Sequence, residues 1–116
     1  MRKDLNTITL SGRLGAAVNL HQKNGTEGPV KSASFSLACD RVEKGEKKTD
    51  WFRVVLLGEQ QVAACDKFLT KGSAVIVEGS LRVRSWETRE GDTRKDVEIV
   101  ASTVHFLDKR KEQKAA

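Results

Sequence analysis

Two tryptophans in this 116-residue chain stand among arginines at strand spacing. Trp51 lies two residues before Arg53, and Trp86 follows Arg84 by two residues and Arg82 by four. Residues two apart in an extended strand point to the same side, so each indole shares a surface with its guanidinium groups. An indole offers a π-face on which another flat ring can stack, and a guanidinium holds an anion. A single-stranded nucleic acid supplies both partners, bases and phosphates, and stacking accepts any base because every base has a π-face. Arg13, Lys71, Arg89, Arg94 and Lys95 extend the cationic set from neighbouring segments. The competing reading makes each Trp a core or interface residue and each Arg a solvated one. Two tryptophans that both fall on the arginine-bearing face weigh against it. Leu57 and Ile76, on the same outer faces, also fit a contact between subunits.

The elements that position these residues follow from hydrophobic period. Over 5–14, Ile8, Leu10 and Leu14 alternate with Thr7, Thr9, Ser11 and Arg13, the pattern of a half-buried strand, and Gly12 and Gly15 predict a bend or close approach near its end. Residues 21–29 hold Asn24-Gly25, Gly28 and the single proline and read as a loop or hairpin tip. A second strand spans 30–41 with Ala33, Phe35, Leu37 and Cys39 inward, a charged turn centred on Gly45 covers 43–48, and a third strand covers 50–57 with Phe52, Val54 and Leu56 inward. Over 59–69 the period becomes helical, with Val62, Cys65, Phe68 and Leu69 three or four apart and Lys71-Gly72 as the stop. A fourth strand over 73–86 directs Val75, Val77, Leu81 and Val83 inward, with Gly79 between them. A charged loop at 87–95 then leads to a last strand over 96–107. Its parity slips near Ser102, which predicts a bulge. Three strands, a helix and two strands give an all-β fold, a five-stranded Greek-key barrel of the OB type with one short helix between strands three and four. An α+β sandwich shares that order.

Composition narrows the function. The chain has room for one domain, expected over 1–107, with a short basic tail over 108–116. The net charge of +5 and pI near 9.4 favour a polyanionic partner without naming it. Cys39 and Cys65 are far apart, and His21 and His105 do not complete a zinc set, so no metal or cofactor is expected and both thiols read as reduced and partly buried. No HExxH, GxSxG, Walker or GxGxxG pattern occurs, which argues against an enzyme. No N-terminal leader pattern or membrane-length apolar run appears, so a cytoplasmic, nucleoid-associated location is expected.

Five segments then carry a resemblance: NTITLSGRLG (6–15), ASFSLA (33–38), TDWFRVVLLG (49–58), LTKGSAVIVEG (69–79) and LRVRSW (81–86). In this order and spacing the chain resembles the bacterial single-stranded DNA-binding protein family, from about residue 5 to 107. The resemblance implies an OB fold, a homo-oligomer with a tetramer favoured over a dimer, and roles in replication, recombination or repair. Trp51 and Trp86 match stacking positions of that family, and Arg53, Lys71, Arg82 and Arg84 match basic positions near its DNA path. Val42-Glu43 and Leu57 stand where further aromatic residues are frequent, Glu59 stands where Lys is common, and the chain has no Tyr. At roughly 1–3 kcal/mol per stacked base, two missing rings cost a few kcal/mol. The basic residues of 89–95 offset part of that through phosphate contacts and steepen the salt dependence. The sequence given closes on DKRKEQKAA without the acidic, apolar tip typical of the family, so recruitment of other proteins through such a tip is not expected. A short disordered or truncated end and a tail-less member are both open readings. The alternative is a primosome-type OB adaptor acting mainly through protein partners. RNA as a ligand also stays open, since stacking barely discriminates sugars.

Overall fold

A computed structural model describes residues 2–22 and 28–108. Strand β1 (Ile8–Leu14) is followed by a short β2 (Asn19–His21), then β3 (Ser32–Glu43), β4 (Glu46–Leu57), helix α1 (Glu59–Phe68), β5 (Ala74–Glu87) and β6 (Thr93–Phe106). The sheet runs β1-β5-β6-β4-β3-β2, and an added β1–β3 pairing closes five of these strands into a barrel. All pairings are antiparallel except β4 with β6. The expected five-stranded barrel with one helix before the penultimate strand is therefore observed.

The added strand β2 is a resumption of β1. β1 pairs with β3 through Arg13↔Ala38 and Leu14↔Leu37, and after a break β2 continues along the same edge through Asn19↔Ser34 to His21↔Ser32. The Asn24-Gly25 turn expected within 21–29 lies outside the described residues, as does the expected tail from 109 onward.

The barrel interior holds Leu14, Phe35, Leu37, Val54, Leu56, Val75, Val77 and Ile99, into which α1 and the residue after it add Val62, Cys65 and Leu69. Burial of side chains of this size stabilises by roughly 1.5–3 kcal/mol each. The helix ends one residue earlier than its apolar period suggests, because Leu69 is already extended while its N–H still donates to the Cys65 carbonyl. Burial also pushes the Cys65 thiol up to about 11, so it stays protonated and acts as a core hydrophobe.

Two hairpins outrun the barrel. β3 and β4 pair from Ser32↔Leu57 to Glu43↔Glu46, so the strands continue through much of the segment read as a charged turn. Lys44 and Gly45, both at positive φ, close the hairpin in two residues. Opposite charges staple its sides, Asp40 with Lys47 and Arg41 with Asp50, and Arg41 also bonds Glu43 on its own strand.

The second long hairpin is β5–β6, and it corrects one expectation. Leu81 and Val83 keep the inward parity assigned to them, yet they are 41% and 64% exposed, as is their neighbour Val97 at 54%. β1 accompanies β5 only as far as Gly79, and β4 reaches β6 only at Ile99 and Val100, so among the described residues no strand pairs with the hairpin beyond that point, where the Asn6 side chain bonds both backbone groups of Leu81 and Arg53 of β4 reaches Glu98. The predicted bulge sits at Ser102: Glu78 pairs with Thr103 and Gly79 with Ala101, leaving Ser102 unpaired in the ladder, its Oγ donating to the Glu78 carbonyl at 3.0 Å. Gly79 permits the tight crossing there, since a Cβ would lie 2.0 Å from the Val100 carbonyl oxygen.

Candidate nucleic-acid interface

Residues paired directly across a ladder share a face, so the register sorts side chains into rows. On the outer face of the barrel one row runs Arg13–Ala38–Trp51, and Ser36–Arg53 follows. Beyond these come Asn19–Ser34–Val55–Val100 and then His21–Ser32–Leu57. On the β5–β6 arm the rows Arg82·Glu98, Arg84·Asp96 and Trp86·Arg94 lie on one face. The opposite face carries Leu81·Ile99, Val83·Val97 and Ser85·Lys95. Both tryptophans are outside the core, Trp51 61% and Trp86 43% exposed. The indole of Trp51 packs over Gly15, and the Arg84 guanidinium stands 4.7 Å from the centroid of Trp86.

Three of the expected cations carry carboxylates. Glu98, only 3% exposed, receives Arg53 Nε on Oε2 at 3.1 Å and Arg82 on Oε1, from Nη2 at 2.6 Å and Nε at 3.0 Å. The two arginine side chains stay about half exposed while their guanidinium groups anchor on the buried carboxylate. Burial pushes the Glu98 carboxyl up, but the hydrogen bonds and charges of Arg82 and Arg53 outweigh it and hold the group below its ordinary value. Arg84 grips Asp96 with two parallel bonds of 3.2 and 3.1 Å. Those bonds lower the Asp96 pKa and raise that of Arg84. This second pair is half exposed on both sides, where an ion pair is weakly held.

Arg53, Arg82 and Arg84 converge on a groove of about 500 Å³ between β4 and the arm, which His21, Val55 and Leu57 also line. The other expected cations are not among the residues that line it. Arg13 is exposed but donates to the Gly72 carbonyl at 2.8 Å. Lys71 neighbours that glycine in the turn before β5. Arg94 stands directly opposite Trp86, Arg89 sits in the turn closed by the Thr88–Asp92 bonds, and Lys95 falls on the apolar face of the arm. Lys71, Arg89, Arg94 and Lys95 make no ion pair with a described residue. Among the described residues no cluster of His, Cys, Asp or Glu is placed to hold a metal.

Sequence reasoning missed Asp96, Glu98 and His21. The carboxylates were discoverable: a hairpin centred near Glu90 brings 82 opposite 98 and 84 opposite 96, matching each Arg with an acid. His21 carried no comparable signal, because a three-residue strand has too short a period to read.

A small closed barrel of the OB type, with exposed indoles among guanidinium groups on its outer side, defines a class of nucleic-acid-binding module. Residues 5–107 match the family described as "Single-strand binding protein family", and the chain belongs to it. It is 37% identical over 110 residues to the "Single-stranded DNA-binding protein" of Thermotoga maritima, covering 90% of this chain and 75% of that one. It is 35% identical over 111 residues to "Single-stranded DNA-binding protein 1" of Xylella fastidiosa, covering 93% and 81%. Among solved structures it is similar to the "Plasmodium falciparum SSB complex with ssDNA", with TM-score 0.80 and 35% identity over 93% of this chain and 99% of that one.

Proposed function

We propose that this protein binds single-stranded DNA without sequence preference, stacking bases on Trp51 and Trp86 and holding phosphates with Arg53, Arg82, Arg84 and the surrounding basic residues. The observation that carries the reading is the exposure of both indoles on the face where the arginines gather. Membership of the single-strand binding family and likeness to a chain solved with single-stranded DNA support it. The work is binding rather than catalysis, and it serves the protection of single strands in replication, recombination or repair at the nucleoid. No helix among the described residues is long and apolar enough to cross a membrane.

Titration of tryptophan fluorescence with oligo-dT at low salt tests this directly. Strong quenching is expected, since the chain has only two tryptophans and both are given a stacking role. Absence of quenching and of binding, with the barrel intact, returns the adaptor reading. Competition by oligo-U measures how far the same face accepts RNA. We also infer a homo-oligomer, a tetramer in preference to a dimer, supported by the exposed Leu81, Val83 and Val97 on the arm face opposite the arginines. Native mass with and without DNA gives subunit number and stoichiometry together.

A further inference from the structure

The β5–β6 arm carries Trp86, yet little of it is packed onto the barrel. β5 contributes no buried residue past Gly79, and Leu81, Val83 and Val97 are exposed. The arm leaves the barrel at the bulge, where Glu78 pairs with Thr103 and Gly79 with Ala101. A bulge bends its strand and adds twist. Something else must fix the direction in which the arm points.

The chain bridges the gap with a side chain. β1 begins at Ile8 and pairs with β5 through Thr9↔Glu78 and Ile8↔Gly79. Continued by two residues, the same register sets Asn6 opposite Leu81. There the Asn6 Nδ2 donates to the Leu81 carbonyl at 2.8 Å, and the Leu81 N–H donates to Asn6 Oδ1 at 3.0 Å. A hydrogen-bonded pair of an antiparallel ladder exchanges the same two bonds between backbones. Here an amide side chain, with a donor and an acceptor like those of a peptide, supplies one half of the bridge. Packing does not account for the contact, since Asn6 is exposed and Leu5 beside it is 91% exposed. On the other edge Arg53 of β4 reaches Glu98 of β6. The root of the arm is thus held from both sides.

Building on the single-strand reading above, we propose that Asn6 is a positioning residue for DNA binding, whose amide clasp on Leu81 fixes the tilt of the arm and with it the place of Trp86. Asn6 itself need not touch the strand. Trp86 stands five residues beyond Leu81, about 16 Å along an extended strand. At that distance a tilt of about 10° at the root moves the ring by some 3 Å, against the roughly 0.5 Å that a positioned contact tolerates. Trp51 lies on β4 over Gly15, and its place does not depend on the clasp.

The test compares wild-type protein with Asn6→Ala and Asn6→Leu, the second keeping a branched side chain without the amide. Both variants are expected to melt within about 3 °C of wild type, because the lost bonds are exposed. Both should bind oligo-dT about fivefold more weakly. Wild-type affinity in Asn6→Leu would assign the effect to shape and overturn the clasp. The loss should also be selective: Asn6→Ala adds less than about twofold to Trp86→Ala and its full effect to Trp51→Ala. Equal further loss in both backgrounds makes Asn6 a residue of general structure and overturns the link to Trp86. In Trp51→Phe protein Trp86 is the only indole, and its fluorescence anisotropy in the free protein is expected to fall when Asn6→Ala is added. Unchanged anisotropy overturns the proposal without reference to DNA. If wild-type protein does not bind oligo-dT, the single-strand reading itself falls. If it binds and Asn6→Ala binds equally well, the positioning role alone falls.

Discussion

Trp51 and Gly15 are built as a ring and its seat: a Cβ on Gly15 would stand 2.4 Å from Cζ3 and 2.8 Å from Cη2 of the indole. Glycine is required there by the ring and not by the backbone, since Gly15 is absent from the positive-φ positions. Gly15→Ala should therefore push the indole off its seat at little cost to the fold, because an exposed ring can swing outward. Oligo-dT affinity is expected to fall nearly as far as in Trp51→Ala, while the thermal midpoint stays close to wild type. Wild-type affinity in Gly15→Ala would show that the seat does not matter.

Trp51 packs against Gly15 and Trp86 carries the Arg84 guanidinium over its ring, while both indoles stay exposed. Trp51→Ala and Trp86→Ala should each weaken oligo-dT binding by about 1–3 kcal/mol. Because β4 and β5 are not neighbours in the sheet, the two losses should nearly add in the double variant. Isothermal titration of the four proteins measures the sum.

Salt dependence separates the cations by what already holds them. Arg94, opposite Trp86 and without an ion pair to a described residue, should count fully as a phosphate contact. Arg94→Ala is expected to lower the slope of log K against log salt by about 0.7, the single-strand value per phosphate. Arg84 must leave Asp96 to reach a phosphate. Asp96→Asn should tighten binding at low salt and steepen the slope, and a slope unchanged from wild type would mean that Arg84 never meets the strand.

The Glu98 pair is asymmetric. Removing Arg53 and Arg82 together, as Arg53→Met with Arg82→Met, leaves a buried carboxylate without partners and should cost about 3–5 kcal/mol of folding stability. Glu98→Gln leaves two half-exposed guanidinium groups that water can solvate, so its cost at neutral pH should be far smaller. Urea unfolding ranks the two.

The same pair sets a pH dependence. The folded state holds the Glu98 carboxyl below its ordinary value, so the unfolded chain binds more protons near pH 4.3, roughly the free carboxylate range. The stability from this group is complete above that range and is lost as pH falls through the lower folded value. Glu98→Gln should flatten part of the acid-side decline in urea-unfolding stability. A parallel decline in both proteins would remove Glu98 as its source.

Much of this was legible in single strands. Parity alone placed Trp51 and Trp86 outside the core, and the slip between Ile99 and Val104 located the bulge at Ser102. What parity cannot show is whether another element covers the face it identifies. Leu81, Val83 and Val97 have core parity on an arm that no strand flanks, so they emerge exposed. The partners of Arg53, Arg82 and Arg84 were hidden for a different reason: an ion pair across strands is a property of register, which a strand read alone does not contain. His21 was hidden because its strand exists only as a continuation of β1 after a break.

The half-exposed pair of Arg84 with Asp96 has a consequence for motion along the surface. If Arg84 holds a phosphate as proposed, Asp96 is at hand to receive the guanidinium on release, so letting go would leave no bare charge and the barrier to release would stay low. A strand held over such pairs would be passed from grip to grip in small steps. A strand so held would be repositioned on the surface without first being released whole.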